Sequence, residues 1–161
     1  MKYGHGGDIY TYKNMLDFSV NINPLGPPKR VTEAAKRGVE LAYAYPDSQC
    51  RKLREKLARK QNIPEDSYIF GNGAAELIYT LVLAERPEQA LIPVPAFSEY
   101  EQALRTVGCE ISYYKTKENN FFCIDESFLE EIDESIDIVF VCSPVNPSGH
   151  VIDKELIQRT A

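Results

Sequence analysis

The chain has few of the residues from which metal sites are built. Its 161 residues include only two histidines and four cysteines, and no two cysteines form a C-x-x-C pair. A zinc site needs four ligands at short, characteristic spacings, so the sequence argues against a bound metal. The cysteines show no disulfide pattern and no signal peptide is evident, which predicts a reducing, cytoplasmic location.

The chain also lacks an excess of positive charge and a long uninterrupted apolar run. Its formal net charge is −6 and its pI is near 5.0, which argues against nucleic acid or a membrane surface as a partner. No stretch is apolar over the length that a transmembrane helix requires. The apolar fraction of 43% is instead that of a globular protein with a core.

The first part of the chain predicts an arm followed by two helices. Apolar and polar residues alternate over 18–22 before a proline-rich stretch, which predicts a short extended segment and a turn. A helix is predicted over 28–41. A second helix is predicted to end near residue 60, with Asp47 or Ser48 as its cap.

From residue 67 onward, short apolar runs alternate with helical patterns. The predicted strands cover residues 68–71, 90–94, 111–115 and 136–142. The predicted helices cover residues 74–84, 98–107, 126–132 and those after 153. Such alternation is typical of an α/β domain with a largely parallel sheet, whose ligands gather at the carboxyl ends of the strands.

The sequence G-N-G-A-A-E at residues 71–76 follows the first predicted strand and opens a helix. The small residues Gly73, Ala74 and Ala75 let an oxyanion approach the backbone. The first N–H groups of a helix have no intrahelical partners, and the helix dipole favours negative charge there. The stretch therefore predicts a phosphate-binding turn, with an ordinary turn that binds no ligand as the alternative.

Two further stretches deliver an aromatic ring and an amide beyond the predicted sheet. In P-V-P-A-F-S-E-Y, at residues 93–100, the prolines end a strand just before Phe97. The ring of Phe97 could stack on a planar ligand, or it could belong to the core. In S-P-V-N-P-S-G, at residues 143–149, Asn146 could donate to a phenolate-like oxygen, or it could close an Asx-type turn.

These three motifs, in this order, resemble the amino-terminal half of fold-type-I pyridoxal-phosphate-dependent enzymes of the class I/II aminotransferase superfamily. The resemblance implies pyridoxal 5'-phosphate as cofactor and an α/β, three-layer large domain, truncated here, with a mostly parallel sheet and flanking helices. Residues 1–46 would form the amino-terminal arm and the start of a small domain. Residues 47–161 would form the amino-terminal half of the cofactor-binding large domain.

The same resemblance implies roles for individual residues. Contacts to the cofactor phosphate would come from Gly73, Ala74 and Ala75. Phe97 would stack on the pyridine ring, and Asn146 would hydrogen-bond its phenolic oxygen. Tyr45, in the motif Y-P-D, would reach the cofactor phosphate of the neighbouring subunit in a homodimer of the full-length protein.

Within the superfamily, H-G-G at 5–7 and D-F-S-V-N-I-N-P-L-G-P-P at 17–28 most resemble the threonine-phosphate decarboxylases of cobalamin biosynthesis. Histidinol-phosphate aminotransferases and other class I/II aminotransferases are the alternatives. Either way, the resemblance implies a small phosphorylated amino acid as substrate, with His5 and Asn23 on the substrate side. A solvent-exposed arm histidine is the alternative for His5.

No catalytic residue is assigned within the chain. In the superfamily, the lysine that binds the cofactor, the aspartate at the pyridine nitrogen and the arginine for the substrate carboxylate all follow the N-P-S-G motif. No lysine of this chain matches that lysine's motif. We therefore expect the chain to be the first half of an enzyme and inactive by itself. A non-catalytic module that binds a phosphorylated ligand is the alternative.

The resemblance also makes a prediction about the sheet. The superfamily interleaves early and late strands, so the predicted strand 68–71 would be separated from the predicted strand 136–142 by strands that this chain does not contain. We expect the two segments to be detached from each other, with apolar surface exposed around both.

Overall fold

A computed structural model describes residues 6–160, and these fall into two compact units. The first unit ends at Ile69 and the second begins at Phe70. The predicted domain boundary after residue 46 concerns a larger enzyme and stays a prediction. Over the described residues, no helix combines the length and the apolar character needed to cross a membrane.

The first unit contains helix α1, Lys29–Val39, helix α2, Arg51–Gln61, and a 3-10 turn, Glu65–Ser67. The N-cap position of α2 is Cys50 and not the predicted Asp47 or Ser48, but the Asp47 carboxylate does cap the start of the helix from three residues earlier, accepting the backbone N–H groups of Gln49 at 3.1 Å and Arg51 at 2.9 Å. Residues 18–22 belong to no strand. The turn predicted after them forms, with the Gly26 N–H donating to the Asn23 carbonyl at 2.9 Å.

The second unit is an α/β unit with three parallel strands. Its strands are β1, Gln89–Val94, β2, Glu110–Lys115, and β3, Ile138–Val139, in the order β2-β1-β3. Its helices are α3, Ala74–Glu85, α4, Ser98–Thr106, and α5, Lys154–Thr160, with 3-10 turns at Glu118–Asn120 and Glu126–Glu131. The α/β class and the parallel sheet predicted from the sequence are confirmed.

Strand β1 lies at the centre of the unit and divides its core into two layers. Successive side chains of a strand point to opposite faces. Ala90 and Ile92 accordingly join one apolar cluster with residues of α3 and α4, including Val82 and Leu104. Leu91 joins a second cluster with residues of the 3-10 turn at 126–131 and of α5. The sheet is therefore covered on both faces, as in a three-layer fold.

Three predicted elements differ from the structure. Residues 68–71 form no strand, and the predicted strand 136–142 is reduced to the two residues of β3. A strand requires a hydrogen-bonded neighbour, and among the described strands β3 pairs with β1 alone. The predicted helix 126–132 is a 3-10 helix instead. Apolar patterning marks these segments as candidates for burial, but it does not supply the partner that decides their conformation.

Candidate functional site

The turn at residues 71–76 leads into α3 with the geometry of an anion site. Gly73 precedes the helix with φ 90° and ψ 170°, a backbone conformation that residues with a Cβ rarely adopt. No side chain caps this helix end. A Cβ placed on Gly73 would meet nothing within 4 Å, so the space beside the turn is open. The helix N–H groups can therefore donate to a ligand that approaches from that side.

The Glu76 side chain folds back onto the same turn, where its carboxylate is a hydrogen-bond acceptor. It accepts the backbone N–H of Asn72. A Cβ on Gly71 would lie 2.9 Å from Leu77 Cδ2 and 3.2 Å from Glu76 Oε2, so only glycine fits there without displacement. The sequence contains the signal for this contact, since an acidic residue at the third helical position often reaches back to the helix start. The sequence analysis missed it.

Phe97 immediately precedes α4, and its ring is half-buried in an aromatic cluster. Phe97 and Tyr100 pack edge to face, with their ring centroids 5.8 Å apart. Tyr100 stacks on Phe140 at 4.7 Å with planes 12° apart. The ring of Phe97 thus has one side supported by the core while part of it remains accessible. Such a ring can serve both as core and as a stacking surface for a ligand.

Asn146 lies at the exposed tip of the loop that follows β3. Backbone contacts hold this loop, since the Val145 N–H donates to the His150 carbonyl and the Gly149 N–H donates to the Val145 carbonyl, both at 2.7 Å. Within residues 6–160, the Asn146 side chain makes no hydrogen bond. The structure therefore does not form the Asx-type turn that was the alternative, and the amide is available to a ligand.

The ends of β1 and β3 meet at a narrow crevice. Tyr100, Cys142 and Asn146 line it, and its volume of about 10 Å³ leaves room for one water molecule at most. Burial, followed by the nearby Cys142, raises the pKa of Tyr100 to about 12. The Tyr100 hydroxyl is therefore protonated at neutral pH and remains a hydrogen-bond donor. Tyr100 is a second residue that the sequence analysis did not assign to the site.

The remaining predicted site residues are placed as follows. Ala74 is exposed and Ala75 is half-buried, both in the first turn of α3. In the first unit, Tyr45 is fully exposed. The Asn23 side chain is engaged locally, since its amide donates to the Gly26 carbonyl at 3.2 Å and its oxygen accepts the Leu25 N–H at 3.0 Å. His5 lies outside the described residues.

Three features of the second unit fit the parts of pyridoxal phosphate. The uncapped start of α3 beside Gly73 suits a phosphate, because it presents N–H donors and the positive end of the helix dipole. The half-buried ring of Phe97 suits a planar aromatic ring. The free amide of Asn146 suits a phenolic oxygen. The donor set and the open space are therefore compatible with this cofactor.

Comparison with known sequences agrees with this assignment. The family model described as aminotransferase class I and II matches residues 13–161. The threonine-phosphate decarboxylase of Salmonella typhimurium is 34% identical over 98% of this chain and 45% of its own length. The histidinol-phosphate aminotransferase of Methanococcus aeolicus is 32% identical over 90% of this chain and 40% of its own length.

Solved structures show the same relationship. The histidinol-phosphate aminotransferase from Clostridium acetobutylicum superimposes with a TM-score of 0.76 at 31% identity, over 89% of this chain and 42% of that one. The L-threonine-O-3-phosphate decarboxylase from Porphyromonas gingivalis superimposes with a TM-score of 0.68 at 25% identity, over 81% of this chain and 38% of that one. The chain spans less than half the length of these relatives. It belongs to the class I and II aminotransferase family, whose members depend on pyridoxal phosphate.

Proposed function

We propose that the second unit provides the phosphate and ring contacts for pyridoxal phosphate in an enzyme that acts on a small phosphorylated amino acid. The turn of Gly73, Ala74 and Ala75 would hold the cofactor phosphate, with the backbone N–H groups of Ala74 and Ala75 as the donors, since the Gly73 N–H donates to the Gly71 carbonyl at 3.0 Å. Phe97 would support one face of the pyridine ring, and the Asn146 amide would donate to the phenolic oxygen. The bound cofactor would supply an electron sink for charge that develops on the substrate.

The observation that carries this proposal is the open, uncapped start of α3 at Gly73. A helix end left without a side-chain cap has unpaired N–H donors, and those donors require water or an anion. Glu76 takes up the Asn72 N–H next to this point, so the N–H groups of the first helical turn remain for a ligand. The free amide of Asn146 is a second donor in the same unit.

For the complete protein we favour threonine-phosphate decarboxylation. The motifs H-G-G at 5–7 and N-P-L-G-P-P at 23–28 support this reaction, and so do the relatives named threonine-phosphate decarboxylase. Histidinol-phosphate transamination is the second candidate, because the histidinol-phosphate aminotransferase structure superimposes with the higher TM-score, 0.76 against 0.68. His5 and Asn23 are proposed on the substrate side, and Tyr45 is proposed to reach a cofactor across a homodimer.

The substitution Ala74→Glu tests the cofactor site in the 161-residue chain itself. We expect wild type to bind pyridoxal phosphate non-covalently and without turnover. A glutamate at Ala74 should weaken that binding by at least about tenfold, because it places bulk and negative charge at the positive end of α3. Equilibrium dialysis measures the affinity.

The matched control is Ala84→Glu, the same substitution at an exposed position near the other end of α3. It should leave cofactor affinity within about twofold of wild type, because Ala84 lies about 15 Å along the helix from the proposed phosphate site, outside the first turn where a charge would repel the phosphate. Equal affinities for wild type and Ala74→Glu would show that residues 71–76 form an ordinary turn that does not bind the phosphate. That result would favour the alternative of a module without a cofactor.

The complete gene separates the reaction candidates. We expect the reading frame beyond codon 161 to encode a lysine in the motif that the family uses to bind the cofactor. The complete enzyme should release carbon dioxide from threonine phosphate. Transfer of the amino group of histidinol phosphate to a keto acid, without carbon dioxide release, would instead identify an aminotransferase.

A further inference from the structure

A cysteine and a histidine of the second unit form a pair that has no role in the proposed cofactor contacts. The Sγ atom of Cys123 lies 3.3 Å from the Nδ1 atom of His150, within hydrogen-bonding distance. Both side chains are half-buried. In the tautomer that carries its proton on Nε2, the imidazole of His150 can take the thiol proton at Nδ1. A nucleophile within hydrogen-bond reach of a base is the arrangement that activates a thiol.

Backbone hydrogen bonds hold both partners of this pair, which are 27 residues apart in the chain. The Cys123 N–H donates to the Asn120 carbonyl at 2.9 Å and so closes a turn. The His150 carbonyl accepts the Val145 N–H at 2.7 Å, which closes the loop that ends at His150. Local structure thus positions the thiol and the imidazole, and the pair does not need a ligand in order to assemble.

The surroundings of Cys123 differ from those of the other cysteines. Within residues 6–160, Cys123 is the only cysteine that is hydrogen-bonded to an imidazole. Cys142 is also half-buried, but its thiol donates to the Pro144 carbonyl at 3.2 Å, which is not a base. Cys109 is buried, and burial, followed by the charge of Asp137, raises the pKa of its thiol. Because the thiolate is the nucleophilic form, we expect Cys123 to be the most reactive of these thiols.

Cys123 also lines a cavity of about 580 Å³. This volume is typical of sites for small organic ligands and far exceeds the space that one water molecule occupies. Charged side chains of both signs line the same cavity: Lys115, Lys117, Asp125, Glu130 and Glu131. A small molecule that carries both ammonium and carboxylate groups would find partners for both, so the cavity suits a zwitterionic ligand.

We propose that Cys123 is a modification site that forms a mixed disulfide with a small zwitterionic disulfide, with His150 as the base. The step is a thiol–disulfide exchange, in which Nδ1 of His150 takes the thiol proton and the Cys123 sulfur bonds to one sulfur of the incoming disulfide. The S–S bond of that disulfide breaks, and its second sulfur leaves as a thiolate that takes the proton from His150. Cys123 is oxidised and the leaving sulfur is reduced, so the disulfide itself is the oxidant.

Oxidised glutathione is a suitable probe, because it carries ammonium groups, carboxylates and a disulfide. Proteolysis and fragment-ion mass spectrometry follow the mixed disulfide at each cysteine of the folded 161-residue chain. At neutral pH, Cys123 should react at least about tenfold faster than Cys142, the matched half-buried thiol without a base. In denaturant the two rates should become similar. Equal rates in the folded chain would overturn the inference.

Two substitutions of His150 separate a base from a structural hydrogen-bond partner. His150→Gln keeps a side chain that can hydrogen-bond to Cys123 but cannot take its proton, so it should slow Cys123 at least about tenfold and leave Cys142 unchanged. In His150→Ala, added imidazole should restore part of the rate at Cys123 and should not accelerate Cys142. A wild-type rate in His150→Gln would overturn the role of His150, and so would the absence of recovery with imidazole. If neither variant folds, the comparison of Cys123 with Cys142 in wild type decides the inference.

A neutral disulfide tests the class of ligand. Hydroxyethyl disulfide contains the same S–S bond without charged groups. Lys117→Gln should slow the reaction of Cys123 with oxidised glutathione about threefold and should leave its reaction with hydroxyethyl disulfide nearly unchanged. The matched control is Lys154→Gln, at an exposed position that does not line the cavity, and it should change neither rate. Equal effects of Lys117→Gln on both disulfides would overturn the zwitterionic class. None of these measurements involves pyridoxal phosphate, so their outcome is independent of the proposed function.

Discussion

Both units of the chain contain large apolar side chains, but the two units differ in how far these are buried. Among residues 70–160 of the second unit, twelve buried apolar residues form the core on both faces of β1, and Phe128 and Leu91 are each 1% exposed. In the first unit, no described residue is buried. Large apolar side chains such as Phe18, at 92% exposed, and Leu25, also at 92%, lie on its surface.

The difference in burial shows that different interactions stabilise the two units. The second unit has a sheet whose central strand is covered on both faces, so burial of apolar area stabilises it. The first unit is organised by local contacts, such as the Asp47 cap and the bond from the Arg54 side chain to the Glu65 carbonyl at 2.8 Å. Such exposed local contacts are individually weak, so this unit should respond to substitution far less cooperatively.

The largest predicted effect compares two phenylalanines of opposite exposure. Phe128→Ala should lower the free energy of unfolding of the second unit by about 3 to 5 kcal/mol, because it removes a buried ring and leaves a cavity. Phe18→Ala is the same substitution at an exposed site of the first unit. It should change the free energy of unfolding of the second unit by less than about 0.5 kcal/mol. Denaturant titration followed by a second-unit signal measures both. Equal losses would show that the two units unfold as one.

The next prediction compares two exposed asparagines. Asn146→Ala should weaken pyridoxal-phosphate binding by about 1 to 2 kcal/mol, the loss of one hydrogen bond to a charged partner, without changing stability. Asn23→Ala should leave cofactor affinity of the 161-residue chain unchanged and should loosen the turn that its side chain closes. Dialysis and hydrogen exchange separate these outcomes. A loss of affinity in Asn23→Ala that matched Asn146→Ala would contradict the assignment.

The smallest predicted effect concerns the cap of α2 in acid. Its hydrogen bonds, chiefly from the Arg51 backbone N–H, lower the pKa of Asp47 below the ordinary value of 3.8. A carboxyl whose folded pKa is lowered stabilises the fold above its ordinary pKa, and this contribution is lost as the pH falls through the folded value. Helix α2 should therefore fray on acidification below 3.8.

The matched variants for this prediction are Asp47→Ala and Asp125→Ala. Asp47→Ala should fray α2 already at neutral pH and remove the acid transition of its amide signals in NMR. Asp125, whose pKa is lowered mainly by the Ser127 hydroxyl, caps a 3-10 turn in the second unit. Its substitution should leave α2 unchanged. If the acid transition of α2 persisted in Asp47→Ala, the transition would have to arise from another titrating group.

The sequence predicted well where local signals are strong. The helices beginning at Ala74 and Ser98 start at the predicted residues, and β1 and β2 differ from prediction by one residue at their starts. Gly73 just before α3 and Pro95 just after β1 mark two of these boundaries through the backbone alone. The prediction of a cofactor site rested on the order of three motifs, and the family comparison confirms the cofactor class.

Local signals in the sequence were enough to predict α3, α4, β1, β2, the order of the motifs and the family, because turn residues and apolar periodicity act within a few positions. The three-dimensional contacts were needed to establish that residues 68–71 form no strand, that the Asn146 side chain makes no hydrogen bond within residues 6–160 and that Glu99 is buried. These outcomes depend on contacts between residues that are distant along the chain. Strand pairing and burial are properties of such contacts, so no local pattern could specify them.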